Sequence, residues 1–66
     1  MKIKVNGLEK EIPSAGNLKQ IIEQFCRQKN NVIAEVNGEI VRSPDWADKK
    51  IQNGDAIELV NFVGGG

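Results

Sequence analysis

Two Asn-Gly pairs, Asn6-Gly7 and Asn37-Gly38, constrain this chain more than any other feature. Asn-Gly supplies the two consecutive positive-φ positions of a type I′ turn, whose twist matches that of the strands it joins. Each pair sits between short segments with alternating aliphatic side chains: residues 2–5 and 8–12 around the first, 32–36 and 39–42 around the second. The pattern predicts two tight antiparallel hairpins.

A two-residue turn also sets the register. In the first hairpin Val5 faces Leu8, Lys4 faces Glu9, Ile3 faces Lys10 and Lys2 faces Glu11. Ile3, Val5, Leu8 and Ile12 then share one face, and two opposite-charge pairs mark the other as wet. Lys10 falls on the apolar side, where an edge-strand lysine reaches out to water and discourages further pairing. In the second hairpin Val32, Ala34, Val36 and Val41 share a face, while Ile33 and Ile40 lie on the other beside Glu35 and Arg42. Those two isoleucines are either ordinary exposed aliphatics or part of a partner-binding patch.

Between the hairpins the period changes. Asn17 followed by Gln20 makes a capping box. Leu18, Ile21, Ile22, Phe25 and Cys26 then recur at the spacing of an amphipathic helix that Asn30-Asn31 would end. Cys26 lies on the inner stripe and reads as a small core residue. A reactive thiol would need exposure and a neighbouring positive charge. Beyond the second hairpin, residues 43–48 (Ser-Pro-Asp-Trp-Ala-Asp) read as a turn into a short helical piece, with Trp46 plugging one end of the core. Asn53-Gly54-Asp55 is a further turn. A last strand follows, in which Ile57 and Leu59 face the helix and Val60 and Phe62 face away.

Five strands and one main helix predict an α+β domain: a five-stranded mixed sheet with the helix across one face and the first and last strands together in the middle, the β-grasp or ubiquitin-like arrangement. Residues 1–63 form this domain and residues 64–66 a flexible glycine tail.

Composition narrows function. A chain of 66 residues, 39% of them apolar, builds one thin core and no cleft between domains. Nine basic residues balance nine acidic ones, with no basic cluster of the kind that neutralises phosphates, so no nucleic-acid partner is expected. Charges at Lys2 and Lys4 interrupt the N-terminal segment and no stretch approaches membrane-spanning length, so the expected setting is cytoplasmic. There is no His and no Tyr, and Cys26 is the only Cys. Ser-His-Asp and Cys-His chemistry is therefore impossible, and a metal site or bound cofactor is not expected. The chain reads as a monomer when free, and as something other than an enzyme.

The chemistry-bearing feature is the end, Phe62-Val63-Gly64-Gly65-Gly66. Glycine lacks Cβ, so Gly64 and Gly65 could thread a channel too narrow for other residues and present the Gly66 carboxylate to another enzyme. Taken with Asn6-Gly7, the run from Asn37 to Val41, Trp46, and Gly54-Asp55 with Ile57-Glu58, this terminus resembles the ThiS family of thiamine-biosynthesis sulfur carriers over essentially the whole chain. The placing of Pro44 after Arg42-Ser43 and the third glycine are departures from that pattern.

The resemblance implies a protein co-substrate. An E1-like, ThiF-like adenylyltransferase would use ATP to adenylate Gly66. A sulfur donor such as a cysteine desulfurase would supply a persulfide, and the resulting thiocarboxylate would deliver sulfur to a ThiG-like thiazole synthase. Alternatives in the same fold are the small subunit of molybdopterin synthase and a ubiquitin-like protein modifier. A partner must grip the domain beside the tail, and Val60, Phe62 and Ile40 are the candidate docking residues, Phe62 foremost as a potential aromatic anchor. Phe62 could instead fold back over the end of the sheet.

Overall fold

A computed structural model describes residues 1–13, 16–26 and 31–61. The Asn-Gly pairs of the two hairpins form the expected turns: φ is 52° at Asn6 and 81° at Gly7, 52° at Asn37 and 87° at Gly38. The first joins β1 (Lys2–Val5) to β2 (Leu8–Glu11), and the second joins β3 (Val32–Val36) to β4 (Glu39–Val41). The registers are those that the turn length dictates, with Lys2 opposite Glu11 and Val5 opposite Leu8 in the first hairpin, and Ala34 opposite Val41 in the second.

The last strand, β5 (Ala56–Asn61), runs between the hairpins, giving the order β2-β1-β5-β3-β4. It is parallel to β1 and antiparallel to β3, so the sheet is mixed. The helix α1 (Leu18–Phe25) begins with the full capping box: Asn17 Oδ1 accepts from the Gln20 amide at 2.9 Å and Gln20 Oε1 accepts from the Asn17 amide at 3.0 Å. A Cβ at Gly16 would meet Gln20 Oε1, so a larger residue there would push the Gln20 side chain out of its capping position.

The core lies between α1 and one face of the sheet. Leu18, Ile21 and Ile22 pack with Ile3 and Val5 of β1, Ala34 and Val36 of β3, and Ile57 and Leu59 of β5. Trp46, on a 3₁₀ helix spanning Ser43–Asp48, closes one end, and its indole N–H donates to the Val41 carbonyl at 2.8 Å. Ile12 and Ile51 complete the core. Ile51 is seated because its amide donates to the Gly16 carbonyl, and Leu18 likewise donates to Lys49, each at 2.8 Å, so the segment after Trp46 is stitched to the start of the helix.

Two features depart from the sequence reading. Leu8 has the correct partner but is 63% exposed, beside the turn and at the rim of the groove that Phe25 and Cys26 also line. The helix itself is shorter than its apolar stripe suggests. It ends at Phe25, and Cys26 is already extended (φ −123°, ψ 131°). The chain must leave the helix early to enter β3, which tertiary pairing with β5 fixes at Val32. Phe25 and Cys26 are half-buried against the core. Asn31 has φ 63°, a turn conformation, while Asn30 lies outside the described residues.

Candidate functional site

The sheet's second face, away from α1, divides into two halves. Under β1 and β2 it carries Lys2, Lys4, Glu9 and Glu11, facing one another in opposite-charge pairs. Under β5, β3 and β4 it carries Val60, Ile33 and Ile40. Ile33 is the direct partner of Val60, and Glu35, two residues on, is the partner of both Ile40 and Glu58. Alternation along three adjacent strands therefore gathers these aliphatics on one face. They are 49% (Val60), 40% (Ile33) and 65% (Ile40) exposed. A shallow groove of about 470 Å³ at the β3–β4 end of the sheet is lined by Ile33, Ile40, Arg42 and Pro44 together with the inner-face residues Val32, Ala34 and Val41. Glu58 on β5 adjoins the charged half, and Glu35 stands within the aliphatic half, between Glu58 and Ile40.

Of the docking candidates, Val60 and Ile40 thus lie on one exposed face, bridged by Ile33. Phe62 lies outside the described residues, as do Gly64, Gly65 and Gly66. The sequence already set Ile33 beside Ile40 on the outer face; what joins it to Val60 is the pairing of β3 with β5, a long-range register that neither strand's own pattern specifies.

Both turn asparagines do more than turn the chain. Asn6 Oδ1 accepts from the Leu59 amide at 2.7 Å, and Asn37 Oδ1 accepts from the Ala56 amide at 2.9 Å. Asn37 Nδ2 also donates to Asp55 Oδ1 at 3.0 Å, while Asp55 Oδ2 accepts from the Gln52 amide at 2.8 Å. Each hairpin therefore holds one part of β5, the strand that leads into residues 62–66.

Cys26 borders a separate groove of about 480 Å³ on the helix side, lined also by Leu8, Phe25 and Leu59. Burial pushes its thiol up from the ordinary value of 9.0, which keeps it protonated and poorly nucleophilic. Among the described residues no group of three or more His, Cys, Asp or Glu side chains is placed to hold a metal ion, and no helix is long and apolar enough to cross a membrane.

Known proteins share this architecture. The crystal structure of the thiamine biosynthesis protein ThiS from Geobacter metallireducens superposes with a TM-score of 0.86 at 28% identity, covering 100% of both chains. The solution structure of a thiamine biosynthesis protein from the same organism gives 0.83 at 26% identity, covering 100% of this chain and 88% of that one. A thiazole synthase of Paramagnetospirillum magneticum is 30% identical over 66 residues, which are 100% of this chain but 20% of that protein. The uncharacterized protein ycf40 of Trieres chinensis is 32% identical over 62 residues, 94% of this chain and 85% of that one. The model of the ThiS family matches residues 3–66, and the chain belongs to that family.

Proposed function

We propose that this chain is a sulfur carrier whose Gly66 carboxylate is activated and converted to a thiocarboxylate that supplies the sulfur of the thiazole ring in thiamine biosynthesis. The observation that carries this reading is the family match, which extends through the terminal glycines to Gly66.

The chemistry explains the division of labour. A carboxylate is anionic and resonance-stabilised, hence a poor electrophile. A ThiF-like adenylyltransferase joins it to AMP from ATP, releasing pyrophosphate and creating a good leaving group. The terminal sulfur of a persulfide, supplied by a cysteine desulfurase or a similar donor, attacks the acyl carbon and AMP departs. A thiol then reduces the resulting acyl disulfide, leaving the thiocarboxylate on Gly66. The carrier contributes no proton-transfer group to these steps; its part is to be gripped and to present its terminus. Gly64 and Gly65 suit a narrow channel because they carry no Cβ.

The grip falls to the apolar half of the outer face, Val60, Ile33 and Ile40, with Phe62 two residues after Val60 in the chain. Its exposure supports this role, as does its position on the strand that leads to the tail. A thiazole synthase as the acceptor is supported by the relative of that name, a fifth of whose length matches this entire chain.

Co-expression with an adenylating enzyme and a sulfur donor, followed by intact-mass measurement, tests the reading. The expected product has one sulfur in place of one oxygen at Gly66, and deletion of Gly66 abolishes it. Conjugates to lysine side chains in place of that product would make the chain a protein modifier instead.

A further inference from the structure

We propose that Asn6 is a positioning residue for the reaction at Gly66: its side-chain oxygen holds the final part of β5 beside β1, beyond the point where the two strands' own pairing stops. This inference rests on the reading of Gly66 as the reacting terminus.

The parallel pairing of β1 with β5 covers Lys4 with Ala56 and Val5 with Ile57. Its backbone bonds include Lys4 N to Asp55 O at 2.9 Å and Asn6 N to Ile57 O at 2.8 Å. A strand that continued past Asn6 would offer a main-chain carbonyl to the Leu59 amide. Here the chain turns at Asn6, with φ 52°, and the acceptor is Asn6 Oδ1, 2.7 Å from the Leu59 nitrogen. One side chain thus extends the ladder by a step that the backbone does not make.

The position of that step matters. After Leu59, β5 runs through Val60 to Asn61, still paired with Ile33 and Val32 of β3. On the other edge the last described bond is the one from Asn6. The bond is made at Leu59, directly before Val60, so among the described residues the end of β5 is held by β3 along its length and, on the β1 side, last at Leu59 by the Asn6 side-chain oxygen. Without that oxygen the end of β5 is held by β3 alone, and the direction in which the strand leads to residue 62 is less firmly set.

Asn37 provides the internal control. It occupies the same position of the same turn type, also with φ 52°, and also accepts from a β5 amide, but at Ala56, the opposite end of the strand. Glycine preserves the backbone at either turn because it adopts positive φ freely. Aspartate tolerates that conformation and keeps the acceptor oxygen.

The test is steady-state adenylation of the full chain by a ThiF-like enzyme, comparing wild type, Asn6→Gly, Asn6→Asp and Asn37→Gly at a temperature where all are folded. Misplacing a reacting group costs turnover more than binding, so Asn6→Gly should lower kcat about tenfold with KM within about twofold. Asn37→Gly and Asn6→Asp should keep kcat within about twofold of wild type. The proposal is overturned if Asn6→Gly turns over like wild type, if its loss lies wholly in KM, or if Asn37→Gly loses as much. Should Asn6→Gly fail to fold, Asn6→Asp decides: retained kcat supports the acceptor role and a folded but slow variant overturns it. If wild type itself is not adenylated, the reading of Gly66 falls, and this inference with it.

Discussion

The two hairpins are built alike and finished differently. Each turns on Asn-Gly with the same backbone geometry, each contributes aliphatics to the core, and each sends its asparagine side chain to an amide of β5. On the outer face the likeness ends. The first hairpin closes that face with Lys–Glu pairs across the ladder, which are content in water; the second leaves Ile33 opposite Val60 and Ile40 opposite Glu35, which in turn faces Glu58. Exposing three neighbouring aliphatics brings no stability to the isolated domain, whereas the first hairpin shows that the same scaffold accepts a polar surface. The contrast is the ground on which the second half is proposed as the docking surface.

The inner ends differ as well, and the largest expected effect tests that. The second hairpin's short β4 leaves the core open, and Trp46 covers the gap while its indole bonds to β4 itself. Trp46→Ala should cost about 3–5 kcal/mol, comparable with the whole stability of a domain this small, so chemical denaturation should find it largely unfolded. Trp46→Phe keeps most of the packing and should lose about 1 kcal/mol with the hydrogen bond. An alanine variant with a near-native midpoint would show that this end of the core does not need closing.

Next in size is the contrast between the outer faces. Ile40→Asp places a charge in the apolar half, at a position already solvent-exposed, and should weaken binding to the adenylating enzyme by about 2 kcal/mol, roughly 30-fold, with little change in melting temperature. Lys4→Thr on the first hairpin should leave that affinity within about twofold, because a rim charge contributes little. Titration calorimetry with the partner gives both values. Equal losses would erase the functional distinction between the halves.

Much of this comparison was legible in the residues. The registers follow from turn length, and the capping box needs only Asn17 and Gln20, because both depend on neighbours in sequence. What stayed hidden depends on distant partners. Asn6 and Asn37 announce positive φ, but nothing local says that their side chains reach β5, in one case 53 residues away. Leu8 obeys the alternation and is still exposed, at the rim of the groove that Phe25 and Cys26 also line. Ile51 lies in a polar stretch with no periodicity, and its burial comes from its backbone bond to Gly16. The proposed docking patch was half visible: alternation set Ile33, Ile40 and Val60 outward, and only the β3–β5 register brought Val60 opposite Ile33.

If the two turns are equivalent structurally, their asparagines should cost alike. Asn37→Gly loses the bonds to Ala56 and Asp55, and Asn6→Gly loses the bond to Leu59. Each should lower stability by about 1 kcal/mol, or about 4–8 °C in melting temperature for a domain of this size. A difference several times larger at one turn would mean that β5 depends on one hairpin far more than on the other.

The smallest effect concerns the groove beneath the first hairpin, where Leu8, Phe25, Leu59 and Cys26 meet. It is the counterpart of the second hairpin's outer patch, the remaining place where large apolar side chains reach the surface among the described residues. If it is packing surface and not partner surface, Cys26→Ala should cost under about 1 kcal/mol and leave thiocarboxylate formation unchanged. The thiol's behaviour with pH gives a second reading. Burial raises its folded-state value above the ordinary 9.0, so the folded chain keeps this proton to higher pH than the unfolded chain. Its contribution is therefore fully present below 9.0 and lost as pH climbs through the folded value. Denaturant midpoints of wild type and Cys26→Ala should accordingly converge as the pH is taken past 9.0. A constant gap would show that the thiol is not shielded. A folded Cys26→Ala chain that can no longer be thiocarboxylated would move the working surface to the first hairpin and reverse the comparison.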